Sequence, residues 1–209
     1  MPGLLVVVSG PSGVGKGTIL NQLLHERGDC TFSISATTRA PRPGEVHGQH
    51  YHFLDHDTFT HWVEQGRFLE WNQVHDQFYG TPREYVAQQR SQGHHVLLDV
   101  DVQGGLQVMQ AEPDHLSVFI APPDLDTLKH RLVSRGTETA EQVQKRLLTA
   151  RVELRSLEQY RYVVVNHEIE RSVSELNAIL TGESLRTDRL RLSGKLPRFV
   201  ETHGESGVG

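Results

Sequence analysis

A glycine-rich segment at residues 10–18 follows directly on a run of apolar residues at 4–8. An apolar strand, a glycine loop and then a helix is the order that a phosphate-binding loop requires, because glycines let successive backbone N–H groups turn toward one anion. The helix that begins near Lys16 directs its positive dipole end to the same place, and the lysine adds a mobile charge for β- and γ-phosphates. The segment therefore predicts a nucleotide-binding loop formed by Gly10, Pro11, Ser12, Gly13, Val14, Gly15, Lys16, Gly17 and Thr18.

The loop departs from the general G-x-x-x-x-G-K-[ST] pattern at one position. Gly17 stands where that pattern has a hydroxyl residue, and Thr18 follows it. We therefore expect Thr18 to supply the hydroxyl that helps to place Mg²⁺, partly through water. The alternative, a glycine turn that binds no ligand, is disfavoured because additional glycines weaken the start of a helix.

Charge and cysteine content narrow the classes of function. The net charge of −5 over 209 residues argues against a general nucleic-acid binder. Cys30 is the single cysteine, so an intrachain disulfide is excluded and a reducing compartment is indicated. The first residues lack the pattern of a signal peptide, and no apolar run is long enough to span a bilayer. We expect a cytoplasmic protein that binds neither nucleic acid nor membrane.

Short apolar strands alternate with helical patterns, which predicts an α/β fold with a parallel sheet flanked by helices. The predicted strands are 4–9, 95–100, 116–121 and 162–166, and the predicted helices are 16–26, 82–92, 102–110, 125–134, 139–160 and 168–181. Two segments interrupt this alternation: 31–80, which predicts a small, mainly antiparallel insertion with one helix near 58–65, and 124–160, which is rich in arginine. A polar tail, 184–209, is expected to be flexible.

Taken together, the sequence motifs resemble the guanylate kinase family. The motifs, in chain order, are GPSGVGKGT, SATTRAPRPGEVHGQHY, FLEW, YGTP, LLDVDVQG, IAPP, SRGTE, KRLLTA and VVVN. The resemblance implies a P-loop kinase core (1–32, 81–123 and 158–183), a GMP-binding insertion (33–80) and a helical lid (124–157). It also implies reversible transfer of the ATP γ-phosphoryl to GMP with Mg²⁺, activity on dGMP as well, and a monomer or homo-oligomer.

The resemblance assigns two groups of residues to GMP. Arg39 and Arg42 stand three apart in a proline-stiffened loop, and guanidinium groups pair bidentately with phosphate oxygens. With Tyr51 and Tyr79 they are expected to enclose the phosphate of GMP. Glu70 is expected to accept hydrogen bonds from guanine N1–H and N2–H₂. The family pattern adds Ser35, Gly80, Thr81, Asp99 and Asp101 to this site.

The resemblance places the remaining chemistry around the transferred phosphoryl group. Lys16, Arg39, Arg135 and Arg146 are the expected catalytic residues, since arginine stabilises charge on phosphoryl oxygens in transit. Arg131 and Arg151 are weaker candidates. Asp99 or Asp101 is expected to help to hold hydrated Mg²⁺, although Asp101 is also placed to cap the next helix. Asn166 matches a family position near the adenine of ATP.

Other interpretations remain open from the sequence. A catalytically silent guanylate-kinase-like module would bind a protein partner, and a related kinase would phosphorylate a ribose phosphate. The first typically lacks the loop lysine or the lid arginines, and the second has no use for Glu70. Five histidines crowd the insertion, but their spacing matches no closed zinc site: His47, His50, His52, His56 and His61.

Overall fold

Alternating apolar strands and helices build an α/β fold around one parallel sheet. The computed structural model describes residues 2–134 and 139–196. Across these ranges the strands are β1 (Leu5–Ser9), β2 (Cys30–Phe32), β3 (Ala36–Thr37), β4 (His52–Phe53), β5 (Phe68–Val74), β6 (Gln77–Pro82), β7 (His95–Asp99), β8 (Leu116–Ala121) and β9 (Tyr162–Val165). The helices are α1 (Lys16–Glu26), α2 (His56–Glu64), α3 (Arg83–Ser91), α4 (Val102–Ala111), α5 (Leu125–Val133), α6 (Ala140–Glu153), α7 (Ile169–Ser184) and α8 (Thr187–Leu192), with a 3-10 helix at Leu154–Gln159.

The main sheet has five parallel strands in the order β2-β7-β1-β8-β9. Strand β1 lies at its centre, and side chains alternate between the two faces. Val6 and Val8 pack on one face with helices α1 and α7, whereas Leu5 and Val7 pack on the other with α3 and α4. Burial on both faces explains why the central strands are continuous apolar runs. The predicted α/β class with a central parallel sheet is confirmed.

A second sheet forms from the segment predicted as an insertion. It has four strands in the order β4-β3-β6-β5, with antiparallel pairs β3/β6 and β5/β6 and a parallel pair β3/β4. Its core is aromatic: Phe59 of α2 stacks on Phe68 with ring centroids 4.5 Å apart and on Phe78 at 5.4 Å. Asp55 caps α2 by accepting a hydrogen bond from the Thr58 amide at 2.7 Å. This small core supports the strand that carries Glu70.

Three elements differ from the sequence prediction. Strand β2 was not predicted, because three half-exposed edge residues are too few to give a pattern. The helix predicted at 139–160 is α6 followed by the 3-10 helix, where Leu154 and Leu157 pack on the same apolar cluster. Leucines three apart share one side of a helix with three residues per turn, so this cluster favours the tighter winding.

The third difference is α8, which lies within the predicted polar tail. Arg189 of α8 donates a hydrogen bond to the Pro2 carbonyl at 2.9 Å and lies 3.5 Å from the Asp114 carboxylate. These contacts hold the helix to the N-terminal end of the chain. Among the described helices, none has the length and apolar character needed to cross a membrane.

A buried histidine joins the start of β1 to the end of α7. His95 is 7% exposed, and its Nδ1 accepts a hydrogen bond from the Leu4 amide at 2.9 Å. Its Nε2 lies 3.3 Å from the Ser184 hydroxyl and 3.6 Å from the Asp29 carboxylate. Burial lowers the pKa of His95, helped by the charges of Arg27 and Arg189 and opposed by that of Asp29. The folded protein therefore favours the neutral ring.

We expect this ring to make the protein less stable as the pH falls below about 6.5, the pKa of an unperturbed histidine. In that range the unfolded chain binds a proton that the folded chain resists, until the pH passes below the lowered folded pKa. The His95→Gln variant retains an acceptor for the Leu4 amide but does not titrate. Urea unfolding between pH 7.5 and 5 should show a shallower pH dependence for this variant than for the parent. His94→Gln is the matched control, and equal slopes for His95→Gln and the parent would contradict the assignment.

Candidate functional site

The glycine loop, residues 10–18, lies where β1 ends and α1 begins. It lines a cavity of about 540 Å³ together with Asn21, Asp99, Asp101 and Glu153, here called the loop cavity. The position is the carboxyl end of the central parallel strands, where open α/β sheets bind ligands. The predicted phosphate-binding loop therefore opens onto a space that also collects the predicted carboxylates.

Two glycines hold the loop in a conformation that other residues resist. Gly13 and Gly15 have φ angles of 89° and 97°, in the left-handed region. A Cβ on Gly15 would lie 2.7 Å from Asn166 Nδ2, and one on Gly13 would lie 2.6 Å from the Leu132 side chain. Gly17 differs, because a Cβ there would approach no atom of another element more closely than Asp99 Oδ2, at 4.0 Å. Backbone conformation and close packing thus both require glycine at positions 13 and 15.

The Val14 carbonyl fastens the loop to the rest of the core. It accepts hydrogen bonds from Asn166 Nδ2 at 2.7 Å and from Arg131 Nη1 at 3.1 Å. Asn166 Oδ1 in turn accepts a hydrogen bond from the Ser172 hydroxyl at 3.0 Å, and Asn166 is fully buried. Both polar ends of this amide thus have a partner behind the loop, so Asn166 anchors the loop, and its expected contact with adenine stays a prediction. Arg131 was ranked as a weak candidate, yet it shares this role.

Lys16 and the carboxylates face one another across the loop cavity. Lys16 Nζ forms an ion pair with Asp99 Oδ1 and donates a hydrogen bond to the Val100 carbonyl at 2.9 Å. Asp101 caps α4, because its Oδ1 accepts a hydrogen bond from the Gly104 amide at 2.7 Å. The structure thus divides the two aspartates: Asp99 pairs with the loop lysine, and Asp101 caps a helix while still lining the cavity.

Glu153 is a cavity residue that the sequence analysis did not identify. It is the last residue of α6, and burial raises the pKa of its carboxyl, with the charge of Asp101 adding to the effect. Its Oε2 is buried and has no hydrogen-bond partner within the described residues. A helix-forming glutamate in an arginine-rich segment carries no sequence signal for this position, since surface helices are full of such residues.

Arg146 connects α6 to the glycine loop. Its Nη2 forms a hydrogen bond with the Ser12 hydroxyl. The predicted lid arginine therefore contacts the glycine loop directly. Arg135, the other predicted lid arginine, lies outside the described residues.

A second cavity, of about 350 Å³, lies between the two sheets and is here called the inter-sheet cavity. Its lining includes Ser35, Tyr51, Thr81 and Asp99. Asp99 also lines the loop cavity, so the two spaces meet at this carboxylate. The structure thus brings the predicted donor and acceptor residues into adjoining spaces.

Glu70 is a buried carboxylate beside the Thr81 hydroxyl. It is 9% exposed, and Thr81 Oγ1 donates a hydrogen bond to Glu70 Oε1 at 2.6 Å. Burial raises the pKa of Glu70, and the charge of Asp101 adds to that effect. Phe68, Leu69 and Glu70 are all buried because the pairing of β5 with β6 shifts register between Phe68 and Trp71. This irregularity interrupts the simple alternation of a strand and directs Glu70 inward.

Three of the four residues predicted to bind the GMP phosphate lie together, and the fourth is an exposed arginine. The Arg39 guanidinium carbon lies 5.5 Å from the centre of the Tyr51 ring, and the rings of Tyr51 and Tyr79 meet edge to face at 6.3 Å. Arg42 is exposed, at the tip of the same loop. Gly80 pairs with Ala36 in the sheet, where a Cβ would lie 2.9 Å from the Phe68 ring, so close packing accounts for this glycine.

The histidines of the insertion make local contacts. His50 Nδ1 accepts a hydrogen bond from the Val46 amide at 3.0 Å, and His47 Nδ1 accepts one from the Phe53 amide at 3.2 Å. Within the described ranges, no group of three or more histidine, cysteine, aspartate or glutamate side chains is arranged to hold a metal ion. These two rings therefore serve the backbone of the loop that carries them.

Comparisons with known proteins agree on one family. The family model described as guanylate kinase matches residues 3–183. The guanylate kinase of Caldanaerobacter subterraneus subsp. tengcongensis is 44% identical over 187 residues, covering 90% of this chain and 91% of that protein. The guanylate kinase of Syntrophomonas wolfei is 46% identical over 190 residues, covering 91% and 97%. The crystal structure of guanylate kinase from Anaplasma phagocytophilum is 31% identical and matches with a TM-score of 0.69, covering 94% of this chain and 97% of that one.

The geometry of the loop predicts opposite effects for two glycine-to-alanine changes. Gly15→Ala should lower the free energy of unfolding by about 1–3 kcal/mol, because a left-handed residue gains a Cβ that also meets Asn166. Gly17→Ala should leave it unchanged or raise it by about 0.5–1 kcal/mol, because the position is helical and open. Urea denaturation of both variants checks this, with Gly17→Ala as the matched control. Equal stabilities would contradict the anchored-loop geometry.

Proposed function

The chain belongs to the guanylate kinase family, and we propose that its two adjoining cavities hold the two nucleotides of the family's reaction. The enzyme transfers the γ-phosphoryl group of ATP to GMP and forms ADP and GDP. The loop cavity takes the phosphates of ATP, and the inter-sheet cavity takes GMP. The observation that carries this assignment is Asp99, which lines both cavities and pairs with Lys16.

On the ATP side, the backbone N–H groups of residues 10–18 bind the phosphates. Lys16 leaves its ion pair with Asp99 and binds phosphate oxygens instead. Arg146, which already reaches Ser12, and Arg135 close over the transferred group and stabilise its charge. Asn166 and Arg131 hold the loop from behind through Val14. Substrate binding thus replaces protein ion pairs with pairs to phosphate.

The oxygen donors around the loop cavity fit a hard divalent cation. Thr18 supplies a hydroxyl, partly through water, and Asp99 or Asp101 supplies a carboxylate, a set that suits Mg²⁺ bound mainly through phosphates and water. Glu153 also lines this cavity, and its Oε2 has no hydrogen-bond partner within the described residues. Bound there with ATP, Mg²⁺ would supply positive charge that offsets the charge of the phosphate oxygens.

On the GMP side, Arg39, Arg42, Tyr51 and Tyr79 enclose the dianionic phosphate. Arg39 and the two tyrosines are already together, and Arg42 stands exposed where closure of the loop can bring it to the ligand. No residue in this assignment contacts the ribose 2′ position, so dGMP is expected to serve as an acceptor too.

Glu70, Thr81 and Ser35 read the guanine base. Ionised Glu70 accepts hydrogen bonds from guanine N1–H and N2–H₂. Thr81 holds the carboxylate in place and, like Ser35, lines the inter-sheet cavity. Adenine has neither of those donors, so it would leave a buried carboxylate without partners. Selectivity for guanine thus follows from burial combined with an acceptor-only group.

The reaction needs no general base, because the phosphate acceptor is already ionised near neutral pH. Catalysis consists of positioning, neutralisation of charge and exclusion of water. Positioning and exclusion of water both favour a protein whose parts close on the substrates. We assign these parts as a core (1–32, 81–123 and 158–183), a GMP-binding insertion (33–80) and a lid (124–157). The single, part-buried cysteine suits a cytoplasmic enzyme.

A coupled assay that follows ADP formation tests the function directly. We expect turnover with GMP and dGMP, much less with AMP, and none with ribose 5-phosphate, because only the guanine nucleotides satisfy both Glu70 and the phosphate cluster. Turnover of the ribose phosphate would favour the sugar-phosphate kinase. Absence of turnover with every acceptor would favour a binding module.

A change at Glu70 should affect the base more than the donor. Glu70→Gln directs an amide N–H toward guanine donors, so kcat/KM for GMP should fall by about 10²-fold to 10⁴-fold while KM for ATP stays within about twofold. Steady-state kinetics with each substrate varied in turn measures both. Glu84→Gln is the matched control, since the Glu84 side chain on α3 is 84% exposed. Unchanged GMP turnover in Glu70→Gln would contradict the assignment.

A further inference from the structure

Glu45 forms several hydrogen bonds with the residues predicted to bind the acceptor phosphate, and the proposed reaction does not account for them. Its carboxylate forms a bidentate pair with Arg39, with Oε1 2.9 Å from Nη2 and Oε2 3.0 Å from Nη1. Oε2 also accepts a hydrogen bond from the Arg42 backbone amide at 2.7 Å. One carboxylate therefore contacts both residues expected to hold the acceptor phosphate, one through its side chain and the other through its backbone.

The contacts fix the plane of the Arg39 guanidinium. Arg39 Nη1 also donates to the Ala40 carbonyl at 2.7 Å, so these hydrogen bonds engage three of the five N–H donors that a guanidinium carries. The rings of Tyr51 and Phe53 lie 5.5 and 5.9 Å from the guanidinium carbon. The side chains of Arg39 and Glu45 are 17% and 18% exposed. Such a guanidinium loses little conformational freedom when a phosphate binds.

The same carboxylate stabilises the turn that carries Arg42. The Glu45 amide donates to the Arg42 carbonyl at 3.0 Å, which closes a tight turn around Gly44, whose φ is 88°. The Arg39 guanidinium and the Arg42 amide hold the pKa of Glu45 down at about 2. Glu45 therefore stays ionised wherever the phosphate of GMP is a dianion.

We propose that Glu45 is a positioning residue for GMP, which orients the Arg39 guanidinium and the Arg42 turn so that both arginines meet the acceptor phosphate. This inference rests on the proposed assignment of Arg39 and Arg42 to that phosphate. A bidentate carboxylate on one edge of a guanidinium leaves the other edge to a second anion, which is the arrangement that presents arginine to a ligand. In the opposite role, Glu45 would compete with the phosphate for Arg39, so that removing the Glu45 carboxylate would tighten GMP binding.

The Glu45→Gln variant separates these roles. It keeps the size of the side chain but loses the charge and one of the two acceptor oxygens. Titration calorimetry should show GMP binding weakened on the order of tenfold, as for partners in one hydrogen-bond network. KM for GMP should rise in parallel, whereas KM for ATP stays unchanged. Glu64→Gln is the matched control, since Glu64 lies on α2 of the same insertion with its side chain 71% exposed. Unchanged or tighter GMP binding in Glu45→Gln would overturn the proposal.

Guanosine distinguishes positioning from a general loss of structure. It carries the base without the phosphate, so its affinity should be the same in Glu45→Gln and in the parent protein. An equal loss of affinity for guanosine and GMP would mean that Glu45 only maintains the fold of the insertion, and it would overturn the proposal.

A double-mutant cycle with Arg39→Ala tests whether Glu45 acts through Arg39. In the Arg39→Ala background, Glu45→Gln should weaken GMP binding by clearly less than tenfold, because the guanidinium that it orients is gone. Full additivity would overturn the proposal. If Arg39→Ala alone leaves GMP binding unchanged, the phosphate-site assignment itself fails, and this result is distinct from a failure of Glu45 alone.

Discussion

The hydrogen bonds to the Val14 carbonyl are the interaction on which the rest of the site depends. A phosphate cradle needs backbone N–H groups held in a conformation that an isolated chain rarely adopts, so something outside the loop must hold it. Asn166, at the end of β9, and Arg131, on α5, converge on this one oxygen. The core sheet and α5 thus share one anchor on the loop. A shift in either element would be transmitted to the glycine loop.

In the free protein, two cationic side chains of the site are already paired with carboxylates. Lys16 is paired with Asp99, and Arg39 with Glu45, so neither cation stands unpaired beside a half-buried cavity. Under the proposed assignment, these cations would exchange carboxylate partners for phosphate oxygens when nucleotides bind. Because Asp99 borders both cavities, a change in its pairing with Lys16 alters the electrostatic field in both.

The sequence predicted those parts of the structure whose determinants are local. Strand β1, the glycine loop and α1 follow one another in the sequence, so one local pattern predicts all three. The cap of α4 is also local, because Asp101 accepts a hydrogen bond from a residue only three positions further on. The anchor role of Asn166 could not be predicted, because its partner Val14 lies 152 residues away and an asparagine after a strand usually indicates a turn. Glu153 was missed because its place in the cavity depends on packing between distant elements. Glu70 was predicted from the family resemblance, since the register shift that turns it inward cannot be read from the alternation of residues.

The burial of Glu70 links recognition of the base to the stability of the insertion. A carboxylate with a pKa raised by burial is a destabilising group in the free protein, since its charge is poorly solvated. The Thr81 hydroxyl offsets only part of that loss, and the stack of Phe59 on Phe68 and Phe78 supplies the apolar contact that keeps the strand in place. Under the proposed assignment, a purine with two adjacent N–H donors would solvate this carboxylate, and a purine without them would not. Selectivity for the base would then follow from the same buried charge that destabilises the free protein.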